Sequence, residues 1–233
     1  EIKLSQGAKP GHGGILPAKK VTREISEIRG VPMGQDVLSP PAHRAFSTPI
    51  EMMQFIKRLR SLSEGKPIGI KLCLGKRREF VSLCKAMIKT GICPDYIVVD
   101  GGEGGTGAAP LEFTNRIGTP GTEGLIFVHN TLVGFGLRDK VKVGATGKIS
   151  TAFCIAKTMA LGADWVNTAR GFMFSLGCIQ SLNCHNNTCP TGIATSDKAR
   201  QRGLVVAAKA IRVRNYQRNT VKALMEVVGA AGC

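Results

Sequence analysis

Aromatic and acidic residues are scarce in this chain. Phe, Tyr and Trp make up 5% of its 233 residues, and 16 Asp and Glu oppose 32 Lys and Arg, a formal net charge of +16. Such a charge favours an anionic partner, such as nucleic acid, a membrane surface or a small molecule. No zinc finger and no aromatic–basic RNA-binding motif accompanies the charge, so the sequence argues against nucleic acid.

Long apolar runs and targeting segments are also missing. No stretch of about 18 apolar residues occurs and no signal peptide opens the chain, so we expect a soluble, cytoplasmic segment. Eight cysteines are too few for a disulfide scaffold in a chain of this length. The chain opens at Glu1 inside a pattern typical of a strand. We therefore expect it to be part of a longer protein, with a membrane anchor upstream as an open alternative.

Short apolar runs alternate with helical patterns along the chain. Strands are predicted at 1–4, 67–73, 95–100, 140–144 and 163–168, and helices at about 79–89, 123–137 and 151–161. Continuous apolar strands separated by helices predict an α/β fold with a parallel sheet covered on both faces. A doubly wound sheet and a (β/α)8 TIM barrel both fit this pattern. Because a barrel needs eight strands, it would be incomplete at the N-terminus here.

Polar and glycine-rich residues follow the carboxyl ends of the predicted strands. They are Lys71, 100–102, 144–148 and 170–171. Ligands bind at this edge in both architectures, and glycine loops after the last two strands match the phosphate site of a barrel. No GxGxxG fingerprint follows an early strand, which argues against a dinucleotide-binding unit. The sequence therefore predicts a ligand site at the carboxyl ends of the strands.

The most specific motif is a run of three cysteines and a proline, Cys178, Cys184, Cys189 and Pro190. Thiolates are soft ligands that bind zinc or iron–sulfur clusters. Zinc normally has four ligands, and the nearby candidate, His185, is adjacent to Cys184 and poorly placed to join the same tetrahedron. The run therefore favours a three-cysteine cluster, with buried cysteines and no metal as the alternative.

Two glycine loops and one lysine complete the candidate site. Residues 5–14 contain four glycines, and Lys9 within them offers charge to an anion. Residues 100–107 combine glycines with Thr106, whose hydroxyl and neighbouring backbone N–H groups are able to reach a cofactor. Lys71 interrupts an otherwise apolar strand, so it either points into a site or extends to solvent.

The C-terminal tail is basic and helical in pattern. Eight Lys and Arg fall within 198–222, and one acid, Asp197, stands just before them. Apolar residues at Leu204, Ala208 and Ile211 recur at helical spacing. We interpret the tail as a helix with a solvated basic face.

Together these motifs resemble the FMN-binding glutamate synthase family, which includes the FMN- and iron–sulfur-bearing synthase domain of the glutamate synthase large subunit. The matching stretches are 3–11, 39–41, 71–72, 104–110, 136–139, 161–164 and 177–192. They follow one another in the family's order. The resemblance implies a barrel domain at 1–200 with an iron–sulfur loop at 178–190, followed by a helical basic tail at 201–233.

The family resemblance also implies an activity, that of an oxidoreductase acting on CH–NH2 donors. Ammonia, or nitrogen released from glutamine, condenses with 2-oxoglutarate to an imine that reduced FMN converts to L-glutamate. A [3Fe–4S] cluster relays electrons to FMN from a donor protein or an NAD(P)H-oxidising subunit. A glutaminase subunit is a further expected partner.

Residue roles follow from the same resemblance. The expected cluster ligands are Cys178, Cys184 and Cys189. The expected FMN contacts are Lys71 at the N1/O2 edge, Gly105 and Thr106 in the glycine loop, and Gly147, Lys148 and Gly171 around the phosphate. Lys3, Gln6 and Lys9 match residues that hold the carboxylates of 2-oxoglutarate. The expected catalytic residues are Lys71, Gln6 and Lys9.

Two departures from the family pattern keep other functions open. His12 and Ile15 stand where the large enzyme usually has Glu and Gln, which keeps open a flavin and iron–sulfur oxidoreductase acting on another 2-oxo acid or amine. The missing first strands of the barrel keep open a non-catalytic electron-transfer module.

Overall fold

The computed structural model describes residues 1–105 and 107–233, and Thr106 lies outside the described residues. Its strands, numbered in chain order, are β1 (Ile2–Lys3), β2 (Ile15–Leu16), β3 (Val37–Leu38), β4 (Gly69–Leu72), β5 (Tyr96–Asp100), β6 (Lys142–Thr146) and β7 (Trp165–Asn167). Its α-helices are α1 (Arg23–Arg29), α2 (Pro49–Leu62), α3 (Arg77–Thr90), α4 (Gly121–Gly134), α5 (Ala152–Ala160), α6 (Arg170–Leu176), α7 (Lys198–Gln201) and α8 (Val206–Ala230).

The main sheet decides between the two predicted architectures. Its five strands are parallel and lie in the order β1-β4-β5-β6-β7, so each new strand is added on the same side of the previous one. A doubly wound sheet would reverse direction at a switch point, whereas a barrel winds in one direction. The fold is therefore an open arc of a (β/α)8 barrel. Within the described residues β1 and β7 form its two edges, which confirms the predicted incomplete barrel.

The core lies between the sheet and the helices that connect its strands. Ile70, Ile97, Val99 and Val143 on the strands are almost fully buried, as is Met87 on α3. These are the continuous apolar strands expected from the sequence, since both faces of a parallel sheet are covered.

The element bounds differ from the prediction where a helix meets a strand. α4 ends at Gly134, and the N–H groups of Lys140 and Val141 both donate to the carbonyl of Leu137. This turn uses two residues that the sequence placed in a strand. β6 therefore begins only at Lys142 and continues to Thr146.

The region 15–62 holds elements beyond those predicted, namely α1, α2 and the antiparallel pair β2–β3. Thr48 and Glu51 form a capping box at the start of α2, with Pro49 in the first turn. Such a box satisfies two backbone N–H groups that a helix start leaves open. The helix then buries Met52 and Ile56.

α8 packs along α5 and α6 at the end of the sheet that carries β7. α7 crosses residue 200, the predicted limit of the barrel domain, and that limit stays a prediction. Among the helices in the described ranges, none combines the length and the apolar character that a membrane span requires.

Candidate functional site

A cavity of about 370 Å³ opens at the carboxyl ends of β4 to β7. Its volume lies within the usual range of small-molecule and cofactor sites. The residues predicted to act there that line it are Gln6, Lys71, Gly105, Gly147, Lys148, Cys178, Cys184 and Cys189. The fold thus brings most flavin candidates, the substrate candidate Gln6 and all three cluster candidates to one cavity, although they lie far apart in sequence. Lys3, Lys9 and Gly171 do not line it.

Lysines from two neighbouring strands meet beside this cavity. Lys3 of β1 and Lys71 of β4 are register partners, so they lie side by side at the same edge of the sheet. The Nζ of Lys71 lies 3.3 Å from the Oδ2 of Asp100, which also accepts the Gly7 N–H at 3.0 Å. The Nζ of Lys3 donates to the Oε1 of Gln6 at 2.9 Å. This contact makes the Gln6 Oε1 the acceptor, and within the described residues no hydrogen bond from the Gln6 amide N–H groups is found.

Positive charge exceeds negative charge in this cluster. Burial lowers the pKa of Lys3, and the charges of Lys71 and Lys9 lower it further, against the opposing effect of Asp100 and Glu1. Lys9 is buried, at 7% exposure, although it does not line the cavity. Lys71 pairs with the buried carboxylate of Asp100, and the charges of Lys71 and Lys9 both act on Lys3, an arrangement suited to a dianionic ligand.

The loop after β6 is shaped for close approach of a ligand. Gly147 has φ +128, a conformation that residues with a side chain rarely adopt. Lys148 follows it in the left-handed region, at φ 52, and donates through Nζ to the Oδ1 of Asn115 at 3.1 Å. A non-glycine residue held in this region is typical of functional loops.

Gly105 provides a second close approach. A Cβ there would lie 1.8 Å from the Nη2 of Arg170, so this guanidinium occupies the space above the glycine loop. Arg170 lines the cavity as well. Thr106, the predicted hydroxyl donor of the same loop, lies outside the described residues.

Gly171 lies away from the cavity lining. A Cβ on Gly171 would lie 1.8 Å from the Oη of Tyr216, which donates to the Ser150 carbonyl at 2.8 Å. The missing side chain therefore makes room for α8 against α6. Its predicted contact with the FMN phosphate stays a prediction.

The cysteine loop, residues 178–190, closes one side of the cavity. All three thiols of the motif are free, and Cys189 is buried. Burial raises the pKa of Cys189, but hydrogen bonds from the Thr191 hydroxyl and from the N–H groups of Ala194, Thr191 and Ile193 outweigh it and lower the pKa to about 7. Donors converging on one sulfur stabilise a thiolate, the form that binds a metal.

The donor set fits an iron–sulfur cluster better than zinc. Three thiols line one cavity, whereas His185 is exposed and its Nδ1 lies 2.9 Å from the Leu182 carbonyl. Soft thiolates without a fourth protein ligand suit a cluster bound through three cysteines. In residues 1–105 and 107–233, no group of three His, Cys, Asp or Glu side chains is already close enough together to hold a single metal ion.

Three residues of the site were not assigned a role from the sequence. Asp100 is the last residue of the predicted strand 95–100, and Arg170 lies two residues after the predicted strand 163–168; these positions were the available signal. Lys20 donates from Nζ to the Cys184 carbonyl across 164 residues of sequence, and no local pattern marks it.

Comparison with known proteins agrees with these features. The family model described as "Conserved region in glutamate synthase" matches residues 1–233. A glutamate synthase large subunit-like protein of Bacillus subtilis is 45% identical over all of this chain and 44% of its own length. The archaeal-type glutamate synthase [NADPH] of Thermotoga neapolitana is 35% identical over all of this chain and 45% of its own length. The chain thus spans less than half the length of these relatives.

Longer relatives and solved structures match less fully. The ferredoxin-dependent glutamate synthase of Antithamnion sp. is 36% identical over 84% of this chain and 12% of its own length. A mutant flavocytochrome b2 with benzoylformate aligns with 94% of this chain and 42% of its own, at TM-score 0.47 and 16% identity. A structural likeness of that degree decides neither fold nor function. The full-length family match and the identity to curated relatives do decide the family: the chain belongs to the glutamate synthase family.

Proposed function

We propose that this chain contributes the flavin- and cluster-binding part of a glutamate synthase-type oxidoreductase. The reaction is the reductive amination of 2-oxoglutarate with ammonia, which consumes two electrons and two protons and yields L-glutamate and water. One observation carries the proposal: Lys71, the glycine loops and three free thiols line one cavity at the carboxyl ends of the strands, and Lys3 is the register partner of Lys71.

FMN and a [3Fe–4S] cluster are the proposed cofactors. When bound, FMN supplies the hydride and the cluster supplies single electrons. Lys71, held by Asp100, would supply a positive charge to the flavin. Gly105, Gly147, Lys148 and Arg170 line the same cavity and are the other flavin contacts in this proposal. Cys178, Cys184 and Cys189 hold the cluster.

The substrate is bound by charge and by an oriented amide. Lys3 and Lys9 stabilise the two carboxylates of 2-oxoglutarate, because the surplus of ammonium groups leaves positive charge for an anion. Gln6, whose Oε1 accepts from Lys3, donates its amide N–H groups to the substrate. His12 and Ile15 are exposed and do not line the cavity. Whether another 2-oxo acid or amine is the substrate is decided by the turnover assay below.

The source of electrons and nitrogen lies with proposed partners. The names of the relatives point to NADPH or ferredoxin as donors of electrons. A glutaminase subunit or free ammonium supplies the nitrogen. Free thiols throughout the described chain fit a reducing compartment, and we place the reaction in the cytoplasm.

The decisive experiment uses full-length protein purified without oxygen. We expect flavin absorbance and, after oxidation, a [3Fe–4S] EPR signal. Glutamate should form only when 2-oxoglutarate, ammonium or glutamine, and a reduced donor such as methyl viologen are all present. Absence of both the flavin and the EPR signal would overturn the proposal. Turnover of other 2-oxo acids but not of 2-oxoglutarate would reassign the substrate.

A further inference from the structure

One of the two tyrosines of the chain, Tyr216, contacts the segments that follow the last two strands of the sheet. Tyr216 lies on α8 and is half-buried. Its Oη donates to the Ser150 carbonyl at 2.8 Å, although the two residues are 66 positions apart. Its ring meets the ring of Phe172 on α6 edge to face, with the centroids 5.0 Å apart. The side chain therefore joins two segments that are distant from α8 in sequence.

The first of these segments is the connection between β6 and α5, residues 147–151, which we call the β6–α5 connection. Ser150 lies in it two residues after Lys148 and belongs to neither β6 nor α5. The second segment is the first turn of α6, which contains Phe172 and follows β7. In barrels, the loops after the last two strands frequently form a phosphate site. Tyr216 thus links both halves of the place where the FMN phosphate is proposed to bind.

The β6–α5 connection has a backbone that needs support from its surroundings. Gly147 has φ +128 and Lys148 has φ 52. A non-glycine residue in the left-handed region persists where neighbouring contacts fix it. The Nζ of Lys148 donates to the Oδ1 of Asn115 at 3.1 Å, and two residues further on Tyr216 holds the Ser150 carbonyl. The hydroxyl of Tyr216 is therefore one of the contacts that keep Lys148 in place.

Gly171 provides the space that Tyr216 occupies. A Cβ at Gly171 would lie 1.8 Å from the Oη of Tyr216 and 2.4 Å from its Cζ. Gly171 is not among the glycines with a positive φ. The absence of a side chain at this position is therefore explained by the tyrosine and not by the backbone conformation of the glycine.

We propose that Tyr216 is a positioning residue for the FMN phosphate. The proposal rests on the proposed function, in which the β6–α5 connection binds FMN. The hydroxyl fixes this connection relative to the first turn of α6, so that Lys148 is in place before the phosphate arrives. A preorganised site binds more tightly, because less conformational freedom is lost on binding. The ring contact with Phe172 accounts for the packing of α8 on α6, and that contact does not need the hydroxyl.

The test is Tyr216→Phe in the full-length protein, which removes the hydroxyl and keeps the ring against Phe172. After the bound flavin has been removed, quenching of flavin fluorescence measures the Kd of FMN and the Kd of riboflavin, which lacks the phosphate. The Kd of FMN should rise about fivefold, the effect of one hydrogen bond. The Kd of riboflavin should keep its wild-type value, because riboflavin has no phosphate to position.

The matched control is Tyr96→Phe, which removes the same hydroxyl from the other tyrosine, at the start of β5. It should leave both Kd values unchanged. Gly171→Ala provides a second test, because its methyl group would displace the hydroxyl of Tyr216. It should raise the Kd of FMN at least as much as Tyr216→Phe does. In the double variant the two effects should not add, since both act through the same hydrogen bond.

The positioning role fails if the Kd of FMN is unchanged in Tyr216→Phe, or if it rises equally in Tyr96→Phe. It also fails if the Kd of riboflavin rises by the same factor as that of FMN, because a general loss of structure then explains both. Additive effects of Gly171→Ala and Tyr216→Phe would overturn the fit between these two residues as the cause. A wild type that binds neither flavin would overturn the proposed function together with this role. Tight FMN binding by the wild type with no change in Tyr216→Phe would count against the role of Tyr216 alone.

Discussion

Charged side chains are paired differently at the two ends of the parallel strands. At the amino ends, Arg60 lies 2.8 Å from Asp95, and Arg138 lies 2.8 Å from Asp164. Each of these carboxylates also accepts a backbone N–H of a neighbouring strand region, from Ile68 at 2.6 Å and from Val143 at 2.7 Å. Charge at the amino ends is thus paired and tied to the sheet.

At the carboxyl ends, by contrast, cations outnumber their partners. Lys71 pairs with Asp100, and Lys3 feels the charges of both Lys71 and Lys9. Burial and the charges of Lys71 and Lys9 lower the pKa of Lys3, an effect that a bound anion would oppose. From this difference we infer that the amino ends of the strands stabilise the barrel. The carboxyl ends are the side where barrels of this architecture bind their ligands.

The largest expected effect is at the carboxyl ends, in Cys184→Ser. A serine oxygen is a poor substitute for a soft thiolate, so the [3Fe–4S] EPR signal should disappear while most flavin absorbance remains. Cys233→Ser, at an exposed cysteine outside the cavity, is the control and should keep both signals. A cluster retained at wild-type occupancy in Cys184→Ser would remove this residue from the ligand set.

The next effect is at the amino ends, in Asp164→Asn. The free energy of unfolding should fall by about 2 kcal/mol, because charge-assisted hydrogen bonds to Arg138 and to the Val143 N–H are lost. Flavin content should not change. Asp139→Asn, an exposed neighbour, should leave stability unchanged. Urea unfolding measures both variants, and a loss of flavin without a loss of stability would break the comparison.

The same pair has a defined pH dependence. Burial raises the pKa of Asp164, but the Val143 N–H and the Arg138 charge outweigh it, and the pKa falls below its ordinary value of 3.8. A lowered pKa stabilises the fold above the ordinary value and loses that effect as pH falls through the folded-state value. The difference in stability between wild type and Asp164→Asn should therefore shrink below about pH 4.

A smaller effect is expected from Lys9→Met at the carboxyl ends. The KM for 2-oxoglutarate should rise about tenfold through loss of a charged contact. The free energy of unfolding should stay constant or rise, because a buried cation is removed from a repulsive cluster. Lys19→Met, at an exposed lysine, is the control. A clear fall in the free energy of unfolding of Lys9→Met would show that Lys9 stabilises the fold, as the ion-paired residues at the amino ends do.

The smallest effect is a change in the titration of Lys3. Its pKa in the wild type should lie below 10.5, and Lys9→Met should move it upward, since the charge of Lys9 is one cause of the lowering. NMR of ¹³C-methylated lysines follows the titration. The pKa of Lys3 should not respond to Lys57→Met on the remote helix α2. An unchanged pKa of Lys3 in Lys9→Met would show that the two lysines do not interact electrostatically.

Local patterns predicted those parts of the molecule whose cause is local. The apolar runs at 67–73 and 95–100 became β4 and β5, because continuous burial marks a strand covered on both faces. The start of α2 carried an equally local signal in Thr48, Pro49 and Glu51, a capping box that the apolar pattern alone does not show. The spacing of the three cysteines was local too, which is why the cysteine loop is recognisable from sequence.

Contacts between distant segments had no such signal. Asp100 and Lys71 form their pair only because β4 and β5 are neighbours in the sheet. Lys20 reaches Cys184 across 164 residues, and α8 reaches Gly177 by packing on α6. The two members of each pair lie too far apart in sequence for a helical or strand periodicity to relate them.

The sequence by itself determined the alternation of strands and helices, the surplus of positive charge and the thiol donors, because these depend on residue type and short-range spacing. Only the tertiary structure decided the one-way strand order and the register that sets Lys3 beside Lys71. It also decided that charge is paired at the amino ends, whereas at the carboxyl ends Lys71 pairs with Asp100 beside the further cations Lys3 and Lys9. Strand order and charge pairing depend on which segments become neighbours. The packing of the whole chain determines these neighbours.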